Sequence, residues 1–132
     1  MKKGYHAPIE ELTTENTDFR RVLYTGEHMQ LVLMSLLPGE EIGLEVHEEN
    51  DQFFRFESGF GTVIIGETQY SVVDGDAVII PAGTQHNVIN TGVDALTMYT
   101  IYAPAHHKDG IVRATKAEAM AHEEDFDGVT TE

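Results

Sequence analysis

Apolar and polar residues alternate along this chain in short runs, and the alternation predicts strands. Gln52 to Ser58 is the clearest case: Gln52, Phe54 and Phe56 share one face, while Asp51, Phe53, Arg55 and Glu57 share the other. The charged residues take the outward face, so Gln52 points inward with the phenylalanines. Phe19–Thr25 reads as a strand turned by Gly26-Glu27. Met29–Leu37 is apolar at almost every position before Pro38-Gly39, which suits a strand covered on both faces. Thr62–Ile65 and Gln69–Val73 pair across Gly66-Glu67, and Asp74-Gly75 makes the next tight turn. Ala77–Ile80, His86–Asn90 and Ala95–Tyr102 complete a set of about eight or nine strands, which predicts an all-β antiparallel sandwich or barrel.

No helix is expected before residue 115. There Thr115 as N-cap and Glu118 three residues later open a short helix running to about Glu123. The expected layout is an N-terminal arm over residues 1–18, draped on a sheet or on a partner subunit, then a β-barrel domain over 19–104. A C-terminal loop, short helix and frayed acidic tail fill 105–132.

With 132 residues the chain suits one domain. It has no cysteine, which removes disulfides and thiolate ligands, so any metal must be held by histidine, carboxylate or amide. Acidic residues number 23 against 8 basic, a formal net charge of −15, and such a surface repels polyphosphate; nucleic acid and anionic membrane are poor partners. No run of 18 apolar residues and no signal-like N-terminus is seen, and a cytoplasmic location is expected.

Candidate chemistry lies between Gly39 and Asn90. Glu45 and His47 are two residues apart in a strand-like segment and so project from one face as a two-pronged ligand. Gln52 points inward, and His86 follows the rigid turn Pro81-Ala82-Gly83-Thr84. These two histidines, one carboxylate and one amide oxygen can close on a single divalent metal. A buried Glu45 needs a cation, and no Lys or Arg of matching parity stands near it in sequence, so a metal is the economical partner.

The spacing of Gly75, Pro81, Gly83, His86 and Asn90 resembles the second motif of the cupin superfamily without a gap, and Gly39, His47 and Gly59 meet its first motif in part. The resemblance covers roughly residues 29 to 102. It implies a double-stranded jelly-roll barrel with one metal in its mouth, held by Glu45, His47, Gln52 and His86. Glu45 stands where most cupins place a histidine, and Gln52 where they place the glutamate. The set is loosely similar to that of mannose-6-phosphate isomerase-like cupins, and uronate-processing cupins also use a glutamine at the position of Gln52.

Zn, Mn, Fe, Ni and Co all suit such donors. The first functional expectation is a small enzyme of isomerase or lyase type that acts on a hydroxy- or keto-bearing small molecule, a sugar-like one among the candidates, with Glu45 or a metal-bound hydroxide moving a proton. The alternatives are a metal-dependent dioxygenase of the quercetinase or acireductone kind and a non-catalytic small-ligand-binding cupin. Arg55 faces outward, which leaves Arg20, Arg21, Arg113 and Lys108 as the only other anion clamps, and a phosphorylated sugar is not favoured. Met34, Phe54, Tyr99, Tyr102 and His107 are pocket candidates. His106-His107 reads first as a solvated loop, with a second metal site or a lid as alternatives. A homodimer is expected through one outer sheet face carrying Phe53 and Ile89.

Overall fold

The computed structural model describes all residues, 1–132. Nine strands form two antiparallel sheets: β1 (Arg20–Thr25), β2 (Gln30–Leu36), β3 (Asp51–Ser58), β4 (Phe60–Ile65), β5 (Thr68–Val73), β6 (Ala77–Ile80), β7 (His86–Asn90), β8 (Leu96–Ala103) and β9 (Val112–Arg113). The large sheet runs β6-β3-β8-β2-β1-β9 and the small one β5-β4-β7. Residues 39–47 extend the small sheet, running antiparallel beside β7 through isolated bridges at Glu41–Ile89 and Glu45–His86. Two sheets whose inner faces meet in this way make the double-stranded jelly roll.

The core is the meeting of those inner faces. Val32, Met34 and Leu36 of β2, Phe54 and Phe56 of β3, and Leu96 and Met98 of β8 face Val63, Val72 and Val88 of the small sheet, all of them buried. Asn90, the last position of the second motif, anchors the β7 exit: its Nδ2 donates to the carbonyls of Leu36 and Asp94, both at 2.9 Å, and its Oδ1 accepts from the Gly92 amide. Its amide group is thus fully used inside the barrel.

Several expectations are corrected. A helix does precede residue 115: α1 (Ile9–Glu15) starts after Pro8, with Glu10 and Glu11 in its first turn, where acidic side chains suit the helix dipole. It packs on β8, β3 and β2 and covers Leu33 on the outer face of the large sheet. That is why β2 reads as apolar on both faces. The second helix, α2 (Lys116–Ala121), is capped as expected, with the Thr115 hydroxyl accepting from the Glu118 amide at 3.1 Å. The tail is docked rather than frayed: Phe126 donates to the His106 carbonyl, Thr131 donates to the Thr25 carbonyl, and the Glu132 carboxylate accepts from Tyr24 Oη at 2.8 Å. Phe53 and Ile89 lie on different sheets, β3 and β7, so they do not share one outer face.

Candidate metal centre

Glu45 and His86 are brought together by the backbone. Each amide donates to the other's carbonyl at 2.9 Å, so their side chains leave the same face of the sheet extension. His47, two residues on, repeats that face, and the Gly83 amide fixes it by donating to the His47 carbonyl at 2.9 Å. Gly83 makes this contact with φ +79°, a conformation that side chains resist. The donor atoms of Glu45, His47 and His86 all lie within 4.8 Å of one another, and the three residues can hold a metal ion.

Each of the three is prepared for that role. His86 Nδ1 lies 2.9 Å from the Thr84 carbonyl, which only an N–H can use, so Nε2 keeps its lone pair. Burial also lowers the His86 pKa and keeps the ring neutral. His47 Nε2 is buried and stands 2.8 Å from Glu45 Oε2, with no other polar partner. Two donor atoms that converge this closely, each from a different side chain, suit a shared cation. Burial pushes the Glu45 carboxyl up, but His47, His86 and Arg20 together hold it below the usual value, so it is ionised at neutral pH.

Gln52 is inward on β3, only 2% exposed, opposite Tyr102 in the ladder. Its Nε2 donates to Thr100 Oγ1 at 3.0 Å, while its Oε1 is buried with no partner. An orphaned amide oxygen in a barrel interior costs free energy, and a cation would satisfy it. The donor set therefore fits a divalent metal.

Around the cluster stand residues of which the alternation pattern gives little sign. His106 packs on His47 with ring centroids 4.3 Å apart, and Tyr102 lies against His47, His106 and His107. The His106-His107 loop is not solvated: His107 is 5% exposed, and Gln30, fully buried, grips the loop. Gln30 Oε1 accepts from the amides of His106 and His107, and its Nε2 donates to the His107 carbonyl at 2.7 Å. His107 Nε2 meets Tyr102 Oη at 3.2 Å, and burial pushes the His107 pKa down to about 2.

A cavity of about 590 Å³ opens beside the cluster, lined by Glu45, His106, His107 and Arg20, with Lys116 and Asp125 among the residues from the C-terminal segment. Of the five pocket candidates, His107 lines this cavity and Tyr102 lies behind it. Met34 and Phe54 belong to the closed core, because their inward positions sit deep between the sheets. Tyr99 is on the opposite side of β8 from Met98 and Thr100, packed outside against Phe53 with centroids 6.1 Å apart. Arg20, opposite the inward Met34 in the β1–β2 ladder, stands near enough to Glu45 for its charge to lower the carboxyl's pKa, though it forms no ion pair with it. The inward position of Arg20 follows from its regular register with β2, which holds from Arg20 to Val22 and is broken only by the bulge beyond it.

This fold defines a class, the cupins, and the Glu45, His47 and His86 group within it could hold a metal ion. The chain belongs to the cupin domain family, matching it over residues 32–102, more than half its length. It is similar to the Bacillus subtilis protein YrkC, 48% identical over 92% of this chain and 69% of that one. It is also similar to the mimivirus protein L612 of Acanthamoeba polyphaga mimivirus, 40% identical over 87% of this chain and 74% of that one. Among solved structures it resembles the Bacillus halodurans protein BH2720, with a TM-score of 0.89 and 48% identity, covering 91% of this chain and 96% of the other. No helix is long and apolar enough to cross a membrane.

Proposed function

We propose that this cupin is a small metal-dependent enzyme that moves a proton on a hydroxy- or keto-bearing small molecule, in the manner of an isomerase or lyase. The observation that carries this is the convergence of the Glu45, His47 and His86 donors within 4.8 Å, with Glu45 on the wall of an open cavity. Glu45, His47 and His86 would hold the ion, with Gln52 Oε1 as the fourth donor. A divalent ion in that place supplies Lewis acidity to a substrate oxygen.

The chain's own groups supply the rest. Glu45 is held ionised, and it is the one member of the cluster that lines the cavity, so it can accept a substrate proton. Burial and the charge of Glu45 raise the Tyr102 pKa, which keeps the phenol an O–H donor beside the neutral His107. Residues from the C-terminal segment, Lys116 and Asp125 among them, wall the cavity on the side away from the strands.

The test is metal content by plasma mass spectrometry on untagged protein, beside Glu45→Ala and His47→Ala. Near-stoichiometric metal in the wild type, lost in both variants, is expected. A wild type that stays metal-free after reconstitution overturns the reading and leaves a ligand-binding barrel. Bound iron, manganese or nickel with substrate-dependent oxygen uptake would replace proton transfer by dioxygenase chemistry.

A further inference from the structure

Arg20 is the one arginine of the chain without a partner. Arg21 pairs with Asp18, Arg55 with Glu57 and Arg113 with Glu124. Arg20 makes no ion pair and no hydrogen bond; its Nε is buried without an acceptor, and Cζ lies over the Phe19 ring, 5.4 Å from the centroid. In a chain with 23 acidic and 8 basic residues, a shortage of carboxylates does not explain this.

Its position is equally specific. Opposite Met34 in the ladder, it projects to the inner side of β1 and lines the cavity that also holds Glu45, His106 and His107. Its charge is felt at all three, lowering Glu45 and opposing protonation of both histidines. Lys116, also free of any ion pair, lines the same cavity from α2. A guanidinium offers five N–H donors in a planar fork, and leaving them unmet beside a low-dielectric wall is unfavourable.

We infer that Arg20 is the anion-binding arm of this cavity and that its ligand is a small monocarboxylate of the 2-hydroxy or 2-oxo acid class. The planar carboxylate takes the fork, and the neighbouring hydroxyl or keto oxygen faces the Glu45 side of the cluster, the side that lines the cavity. A phosphoryl dianion is the poorer match, because Glu123, Glu124 and Asp125 line the same cavity and repel a second negative charge. The inference rests on the proposed metal site for the placement of the second oxygen, but not for the carboxylate.

The experiment is isothermal titration calorimetry of lactate and of lactamide, its neutral counterpart, into metal-loaded wild type, Arg20→Met and Arg20→Gln. Metal content and thermal unfolding are measured on each protein. The expected result is a loss of roughly tenfold or more in lactate affinity in either variant, with lactamide changed by less than about twofold. Metal content and unfolding temperature should stay as in the wild type. Lactate bound as tightly by the folded variants as by the wild type, or lactate and lactamide weakened equally, overturns the inference. If the wild type takes up no metal, the metal reading fails by itself. An Arg20-dependent preference for lactate over lactamide then still supports the anion site, and its absence overturns it.

Discussion

Gln30 holds His107 by both peptide groups: its Oε1 accepts from the His107 amide at 2.9 Å, and its Nε2 donates to the His107 carbonyl at 2.7 Å. One buried side chain on β2 thus fixes a loop 77 residues away in sequence and seats two histidines at the cavity wall. In Gln30→Leu the amides of His106 and His107 lose their acceptor. Unfolding free energy should fall by about 1–3 kcal/mol for the stranded backbone groups. Hydrogen exchange at residues 106–107 should accelerate, while metal stoichiometry stays unchanged, since none of the proposed donors, Glu45, His47, Gln52 and His86, is on the loop. Unaltered exchange would mean the loop is held by something else.

Acid should destabilise the fold through His107. Its folded pKa, about 2, lies far below the ordinary histidine value of 6.5, with burial as the main cause and Arg20, His106 and His47 adding to it. The unfolded chain therefore binds the proton more readily, and stability rises with pH across this interval. The contribution is complete above about pH 6.5 and is lost progressively as pH falls toward 2. His86 and His106, also lowered, act with the same sign. The measurement is unfolding temperature from pH 7 to pH 5. The wild type should fall, and His107→Asn should show a visibly shallower slope; parallel curves would assign the acid sensitivity elsewhere.

Gln52→Leu separates ligand from scaffold. The substitution removes the hydrogen bond to Thr100 Oγ1, so stability should change by about 1 kcal/mol. Metal affinity should fall at least as far as on losing an outer-shell partner, roughly tenfold. Chelator competition gives the answer, and an unchanged affinity would reduce Gln52 to a partner of Thr100.

Gly83→Ala tests the turn that fixes His47. The added methyl meets only the flexible Glu48 carboxylate, at 3.4 Å, so the cost is backbone strain at φ +79°. About 1–2 kcal/mol of lost stability is expected in urea unfolding. A neutral substitution would show that the turn relaxes to another conformation.

Alternation made β3 legible, including the inward Gln52, because Arg55 and Glu57 mark the outer face and pair there. The Pro81–Asn90 stretch was legible for a different reason: a turn of fixed φ, a histidine and a strand-end asparagine each answer a local demand. What stayed hidden depends on contacts distant in sequence. His106-His107 is a polar loop by composition and a buried one only because Gln30 reaches it. Arg20 is a charged residue on an inward position, which hydropathy assigns to the surface, and α1 offered just Ile9 and Leu12 as apolar cues. The acidic tail has no periodicity, and it docks through backbone and hydroxyl groups that hydropathy does not register.

The reciprocal amide–carbonyl pair between residues 45 and 86 separates placement from identity at the centre. The strands are zipped by groups that every residue type carries, so the distance between the two side-chain roots does not depend on what those side chains are. Replacing Glu45 by histidine would exchange an oxygen donor for nitrogen, and a negative charge for none, on an unchanged frame. The expected consequence is a retuned metal preference rather than a broken barrel, and selectivity in such a chain can drift by single substitutions without passing through an unfolded intermediate sequence.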